Sequence, residues 1–147
     1  MTKLLSFYTR CLEPPKGSFI LLGSRGSGKS TWLRQRFPEA YRVDLLSEET
    51  FQKYLARPGL FALELGAVEP TRRVVVDEIQ RLPNLLNEVH RLIEEEGRVF
   101  ALCGSSARKL RRAGVNRLAG RLAQRFMHPF VPEELGADFR LEVALKT

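Results

Sequence analysis

Eight residues, from Gly23 to Ser30, constrain this chain more than any other part of its sequence. They read GSRGSGKS and match the pattern G-x-x-x-x-G-K-[ST] at every specified position. A short apolar run at residues 18–22 precedes them and predicts a buried strand, and residues 29–37 follow as a predicted helix. Because glycine has no Cβ, backbone N–H groups can approach an anion closely, and the helix N-terminus adds about half a positive charge. The pattern therefore predicts a phosphate-binding loop.

The residue types in this loop suit a nucleoside triphosphate with its metal ion. We expect Lys29 to reach the β- and γ-phosphates and the Ser30 hydroxyl to bind Mg²⁺. A GTP-binding protein would need the guanine-reading pattern N-K-x-D, which the sequence lacks, so the predicted ligand is ATP. The predicted ATP-binding residues are Gly23, Ser24, Arg25, Gly26, Ser27, Gly28, Lys29, Ser30 and Thr31.

A second motif, VVVDE, places two adjacent carboxylates after an apolar strand at residues 74–76. Ligands of open α/β sheets bind at the carboxyl ends of the strands, so Asp77 and Glu78 are predicted at the ligand edge. Asp77 is expected to belong to the Mg²⁺ site, and Glu78 to act as the general base that polarises the attacking water. A small-molecule kinase needs no such base, so the pair favours ATP hydrolysis.

Two later segments bring further polar residues toward this site. Ser105 and Ser106 follow a fourth strand predicted at residues 99–102, and a hydroxyl there could orient the water or cap the next helix. The sequence does not choose between the two serines. Arg121 precedes a fifth strand predicted at residues 122–130; it could stabilise charge at the γ-phosphate or be a surface arginine.

The remaining elements alternate strand and helix. Residues 41–45 predict a second strand, and Ser47 is expected to cap the helix that follows. An apolar stripe at helical spacing after Pro83 predicts a long helix that Gly97 ends. Such alternation implies parallel strands. The predicted fold is a three-layer α/β sandwich, a P-loop NTPase domain whose five-stranded parallel sheet carries helices on both faces.

The order of these motifs resembles the AAA+ superfamily: phosphate loop, intervening strand, DE strand, polar residue after the fourth strand and arginine before the fifth. More narrowly, it is similar to a prokaryotic group of predicted AAA-type ATPases. The signatures of that group match residues 77–83 (DEIQRLP), 104–110 (GSSARKL) and 118–121 (LAGR). The resemblance covers most of the chain, from about residue 18 to residue 135.

The resemblance implies several further properties. The phosphate-loop strand should be central in the sheet, Ser105 or Ser106 should be the sensor, and Arg121 should be an arginine finger acting on a neighbouring subunit of a homo-oligomer. Residues 1–17 would be an N-terminal segment, 18–132 the ATP-binding core, and 133–147 either the start of a truncated helical lid or a tail. No second-sensor arginine can be assigned.

Charge and hydropathy bound the partners of the chain. The net charge is +7, and seven basic residues lie from Arg108 to Arg125. This cluster could bind nucleic acid, although the lack of interleaved aromatic residues favours a solvated basic helix. No run of 18 apolar residues and no signal peptide occurs, so no membrane partner and a cytoplasmic location are expected. Two functions remain: a Mg²⁺-dependent ATPase, or a nucleotide-responsive binding module with little turnover.

Overall fold

A computed structural model of the chain describes residues 13–112 and 122–127. Strands and helices alternate through them, as the sequence predicts. The strands are β1 (Phe19–Leu22), β2 (Tyr41–Asp44), β3 (Val74–Asp77), β4 (Phe100–Gly104) and β5 (Ala123–Phe126). The helices are α1 (Lys29–Arg36), α2 (Glu48–Ala56), α3 (Gly59–Leu65), α4 (Leu85–Glu96) and α5 (Ala107–Arg112), with a 3₁₀ turn at Ile79–Arg81.

The five strands form one sheet in the order β2-β3-β4-β1-β5, and every neighbouring pair is parallel. The predicted five-stranded parallel sheet is therefore confirmed. The expectation that the phosphate-loop strand is central was wrong in one respect. The middle strand is β4, because three strands lie on one side of β1 and only β5 on the other.

The inner strands β1, β3 and β4 are buried on both faces of the sheet, which explains why they are apolar runs. Phe19 and Leu21 of β1 belong to one cluster of buried side chains, together with Trp32 of α1. Ile20 and Leu22, on the opposite face, belong to a second and larger cluster. That second cluster takes buried side chains from all four of the remaining helices: Tyr54 (α2), Phe61 and Leu65 (α3), Leu85, Leu86, Val89 and Leu92 (α4) and Leu110 (α5). Helices therefore cover both faces, as predicted.

Local signals explain two of the helix ends. The Ser47 hydroxyl accepts a hydrogen bond from the Thr50 N–H and caps α2, and Gly97 ends α4 in a left-handed conformation, so both predictions are confirmed. The strand predicted over residues 122–130 ends at Phe126 within the described residues. Helix α3 was not predicted. Among the described helices, none combines the length and apolar character needed to cross a bilayer.

The strand register aligns the carboxyl ends of four strands. Leu22 at the end of β1 is paired with Gly104 at the end of β4, and Asp44 at the end of β2 is paired with Asp77 at the end of β3. The segments that follow β1, β3 and β4 therefore emerge at one edge of the sheet, which we call the carboxyl edge. All three segments carry predicted site residues.

Candidate nucleotide-binding site

The loop between β1 and α1 depends on glycine at three of its positions. Gly26 and Gly28 have φ angles of 81° and 89°, in the region that side-chain-bearing residues rarely adopt. At Gly23, a Cβ would lie 2.3 Å from the carbonyl oxygen of Met127, so the loop begins in close contact with the end of β5. The loop is closed by hydrogen bonds from the Ser27 backbone N–H and hydroxyl to the Ser24 carbonyl.

Lys29 folds its side chain back inside this loop. Its Nζ donates to the Gly23 carbonyl at 2.6 Å, the Ser24 carbonyl at 2.9 Å and the Ser27 hydroxyl at 3.4 Å. The residue is only 5% exposed, and no carboxylate of the described residues pairs with its charge. A buried charge is normally paired, so the unbalanced ammonium fits an anion bound in the loop.

Ser30 and Asp77 meet although 47 residues separate them in the sequence. The Ser30 hydroxyl donates a 2.5 Å hydrogen bond to Asp77 Oδ2. The other carboxylate oxygen, Asp77 Oδ1, is buried and has no hydrogen-bond partner among the described residues. Hydroxyl and carboxylate oxygens are ligands that Mg²⁺ accepts, usually together with waters and substrate phosphates. The oxygen pair and the unpartnered Oδ1 thus fit a magnesium ion beside the loop.

Glu78 has the only positive φ of any described non-glycine residue, with φ 58° and ψ 48°. Such a conformation costs about 1–3 kcal/mol and is common at functional sites. Glu78 lies between the end of β3 and the 3₁₀ turn, and the residue is 6% exposed. Two donors, the Ser105 hydroxyl at 3.0 Å and the Gln80 amide, bond to Glu78 Oε2. A buried carboxylate is therefore held at the carboxyl edge by two neutral groups.

The two serines after β4 have different contacts. Ser105 donates its hydroxyl hydrogen to Glu78 and belongs to the site. Ser106 accepts a 3.2 Å hydrogen bond from the Lys109 N–H and so caps α5. The sequence left both roles open for both residues. Ser105 therefore contacts the buried carboxylate, whereas Ser106 caps the helix.

A cleft of about 400 Å³ opens between these elements. It is lined by predicted residues of the loop, by Glu78 and by one residue that the sequence analysis missed, Leu46, in the turn after β2. Nothing in the local sequence marks Leu46, because its position depends on β2 and β3 ending side by side. The lining residues are Arg25, Gly26, Gly28, Lys29, Ser30, Thr31, Leu46 and Glu78.

Three other side chains that could stack on a ligand, react or bind a metal do not line the cleft. Trp32 is buried against Phe19 and Phe37, a position in the core rather than against a ligand. Burial raises the pKa of the Cys103 thiol well above its usual range, which disfavours a reactive thiolate. His90 pairs with Glu94 on α4. Within residues 13–112 and 122–127, no three side chains of His, Cys, Asp or Glu come together as a metal site.

The last predicted elements are only partly described. Arg121 lies outside the described residues, as do residues 1–12 and 128–147. Of the predicted basic region, α5 is described. Its four basic side chains are exposed and form no ion pair with the described residues: Arg108, Lys109, Arg111 and Arg112.

The parallel sheet, the glycine-rich loop leading into a helix N-terminus and the adjacent carboxylates define a P-loop nucleotide-binding domain. Among families of known proteins, the model described as "AAA domain" matches residues 16–136. The match spans most of the chain, so the chain belongs to the AAA domain family. The resemblance to AAA-type ATPases is thereby confirmed at the level of the family. None of the curated proteins compared with the chain matches it.

Proposed function

We propose that this chain hydrolyses ATP in the cleft between the phosphate loop and the carboxyl end of β3. The single observation that carries the proposal is the arrangement of Lys29 and Glu78. A buried ammonium without a carboxylate partner and a buried carboxylate held by neutral donors line the same cleft. Lys29, which would bind phosphate, and Glu78, which would activate water, therefore line the same cleft.

Binding rests on the loop. Lys29 Nζ, which bonds to the loop carbonyls of Gly23 and Ser24, would meet the β- and γ-phosphates of ATP, and the helix N-terminus of α1 would add its partial positive charge. Ser30 and Asp77 would hold Mg²⁺, which neutralises the negative charge that develops on the phosphates when it is bound. Gly26 and Gly28 keep the space above the backbone open, since no atom lies within 4 Å of a Cβ placed at either position.

Turnover rests on Glu78 and Ser105. With Oε2 fixed by Ser105 and Gln80, the carboxylate presents its other oxygen, Oε1, without a hydrogen-bond partner among the described residues. Glu78 would accept a proton from water through Oε1 as the water attacks the γ-phosphate. Ser105, bonded to the base and one residue beyond β4, would sense the γ-phosphate and help orient that water.

Steady-state phosphate release from ATP tests the proposal. The wild-type protein should release phosphate from ATP in the presence of Mg²⁺, and the release should stop when EDTA removes the ion. Glu78→Gln keeps the size of the side chain and removes the base, so ATP binding should survive while kcat falls about 10²–10⁴-fold. The matched control is Glu49→Gln, the same change at an exposed position in the first turn of α2. A Glu78→Gln variant with the wild-type rate would contradict the assignment.

The proposal extends to an oligomer in which Arg121 acts on the neighbouring subunit. Ala123, two residues later, pairs with Phe19, the first residue of β1. The phosphate loop follows Leu22, the last residue of β1, which lies three residues after Phe19. At about 3.3 Å per residue, the loop begins about 10 Å from Phe19 along the strand. Strand β5, which follows Arg121 in the sequence, therefore begins at the edge of the sheet opposite the phosphate loop, and this favours action on another subunit.

A second candidate function is a nucleotide-responsive module that binds nucleic acid. The observation that favours it is α5, whose four exposed cations have no carboxylate partner among the described residues. The helix begins directly after Ser105 and Ser106, so a partner on α5 would lie next to the proposed sensor.

The narrower resemblance, to a prokaryotic group of AAA-type ATPases, is also a proposal and rests on the sequence signatures alone.

A further inference from the structure

Gln80 contacts two residues of the candidate site, although neither the phosphate loop nor the DE motif includes it. It lies in the 3₁₀ turn after β3, and its amide nitrogen Nε2 donates to two acceptors: Glu78 Oε2, and the Ser105 hydroxyl oxygen at 3.0 Å. Ser105 in turn donates to the same Glu78 oxygen at 3.0 Å. The three side chains close a ring of hydrogen bonds that joins the ends of β3 and β4.

The orientation of the amide follows from the chemistry of its neighbours. A carboxylate oxygen can only accept, and a hydroxyl that already donates to that carboxylate can accept from elsewhere. The amide must therefore point its NH₂ group at both, which uses both of its hydrogens. Gln80 Oε1 is left buried without a hydrogen-bond partner among the described residues. Leaving a buried polar atom without a partner costs free energy of folding. The two hydrogen bonds of Nε2 therefore hold the side chain in place.

The ring acts on one oxygen of Glu78 only. Both hydrogen bonds go to Oε2, while Glu78 also lines the cleft that contains Lys29 and Ser30. Fixing one oxygen of a carboxylate fixes the direction in which the other oxygen points. The backbone of Glu78 has a left-handed conformation, which persists in proteins only where the surrounding structure fixes it.

From these contacts we infer that Gln80 is a positioning residue: it locks Glu78 Oε2 against Ser105 so that the other carboxylate oxygen faces the cleft. The inference deepens the proposed ATP hydrolysis and rests on it for its consequence in turnover. Gln80 touches no reacting atom and acts through Glu78. Its contacts, however, join the protein's own side chains, so they can be tested on protein prepared without nucleotide.

The first test is an NMR measurement on the nucleotide-free protein. The side-chain NH₂ resonances of Gln80, assigned by their loss in Gln80→Met, should shift in Ser105→Ala and in Glu78→Gln. Their hydrogen exchange should be slower than that of an exposed amide. The matched control is Gln52, which donates to Glu48 at 2.9 Å on the exposed side of α2 and should not respond to either change. Gln80 resonances that behave like those of Gln52 would overturn the inference, whether or not the protein hydrolyses ATP.

The second test is a cycle of variants measured by turnover. Gln80→Met keeps the length of the side chain and removes the donor, so kcat should fall about 10–100-fold, the effect of misplacing a reacting group by about 1 Å. The KM for ATP and the midpoint of thermal unfolding should stay near wild type. In a Glu78→Gln background the same change should cost almost nothing, because a residue that acts only through Glu78 has nothing left to position.

The cycle distinguishes a Gln80 that acts through Glu78 from a Gln80 that affects turnover independently of Glu78. A loss of equal size in both backgrounds would mean that Gln80 does not act through Glu78. Where Gln80→Met fails to fold, Gln80→Glu replaces it, since this change keeps the shape and sets two carboxylates against each other, and it should lower kcat further. A wild-type protein without turnover would remove the proposed function, and the NMR test would then decide on Gln80 alone. Gln52→Met serves as the control throughout.

Discussion

The Ser30 hydroxyl donates a 2.5 Å hydrogen bond to Asp77 across the end of β4, which lies between the two strands that deliver these residues. Ser30 is the second residue of the helix after β1, and Asp77 is the last residue of β3. Their contact shows that the carboxyl ends of three adjacent strands converge on a single point. A cation bound there would be in contact with both motifs that the sequence marks.

Asp77→Asn should weaken the response to magnesium. The amide keeps the shape but brings an N–H₂ group and loses the charge, so the Mg²⁺ concentration for half-maximal ATPase activity should rise by about tenfold or more. The measurement is phosphate release against Mg²⁺ concentration at saturating ATP. Asp44→Asn is the control, since Asp44 ends the neighbouring strand in register with Asp77 and is exposed. Equal responses from the two variants would remove Asp77 from the metal site.

Lys29→Met should weaken ATP binding. The change keeps the length of the side chain but deletes the buried charge, and hydrogen bonds to charged groups are worth about 1.5–3 kcal/mol. The dissociation constant for ATP should therefore rise about 10–100-fold in a titration with fluorescent ATP. Lys53→Met, at an exposed lysine paired with Glu64, should bind ATP as the wild type does. Unchanged affinity in Lys29→Met would mean that the loop does not hold the phosphates.

Ser105→Ala and Ser106→Ala form a matched pair with opposite expected effects. Ser105→Ala removes a donor to Glu78, so kcat should fall while the thermal midpoint stays close to wild type. Ser106→Ala removes the cap of α5, which should cost about 0.5–2 kcal/mol of the free energy of unfolding and leave kcat unchanged. Phosphate release and thermal unfolding, measured on both variants, separate the roles. A reversed pattern would make Ser106 the sensor.

The sequence predicts the phosphate loop well because its spacing alone requires the turn, the glycine conformations and the following helix. It predicts the inner strands β1, β3 and β4 because strands buried on both faces need apolar runs. Helix α3 was missed because Gly59–Leu65 is too short for a periodic signal and follows the turn residues Arg57 and Pro58. Short helices are set by packing rather than by propensity.

The side-chain contacts within the site could not be predicted from the sequence. In an extended strand, Gln80 would lie on the same face as Glu78 by alternation. The left-handed backbone of Glu78 breaks the strand there, and the contact with Ser105 depends on β3 and β4 ending side by side. The choice between Ser105 and Ser106 likewise depends on which serine starts the helix. Such contacts between elements cannot be deduced from either motif alone.

If α5 contacts nucleic acid, binding should fall steeply with salt. Each phosphate contact on duplex DNA contributes about −0.9 to the slope of log K against log salt concentration. Replacing Arg111 and Arg112 of α5 by Gln should reduce the slope by up to about 2 in a fluorescence anisotropy titration. The control is Arg57→Gln, at an exposed arginine directly after α2, which should leave the slope unchanged. No detectable binding to single- or double-stranded DNA at about 50 mM salt would indicate a solvated basic helix.

The proposed role of Arg121 makes activity a property of an assembly. If one subunit supplies the arginine and the next supplies Lys29, the contact is heterologous and can close into a ring. The specific activity should then rise with protein concentration over the range in which light scattering shows assembly. A monomer with full ATPase activity would contradict this arrangement directly.

Mixing two inactive variants tests the direction of the contact. Arg121→Ala should bind ATP and lose turnover, by up to about 10³–10⁵-fold if the arginine is a finger. Lys29→Ala should lose binding yet still offer its Arg121 to a neighbour. A mixture should recover activity, because some interfaces join an intact Lys29 to an intact Arg121. If Arg121 acted within its own subunit, each subunit would lack one of the two groups, and a mixture that co-assembles would stay inactive. Arg125→Ala, at an exposed arginine of β5, is the matched control and should remain active on its own.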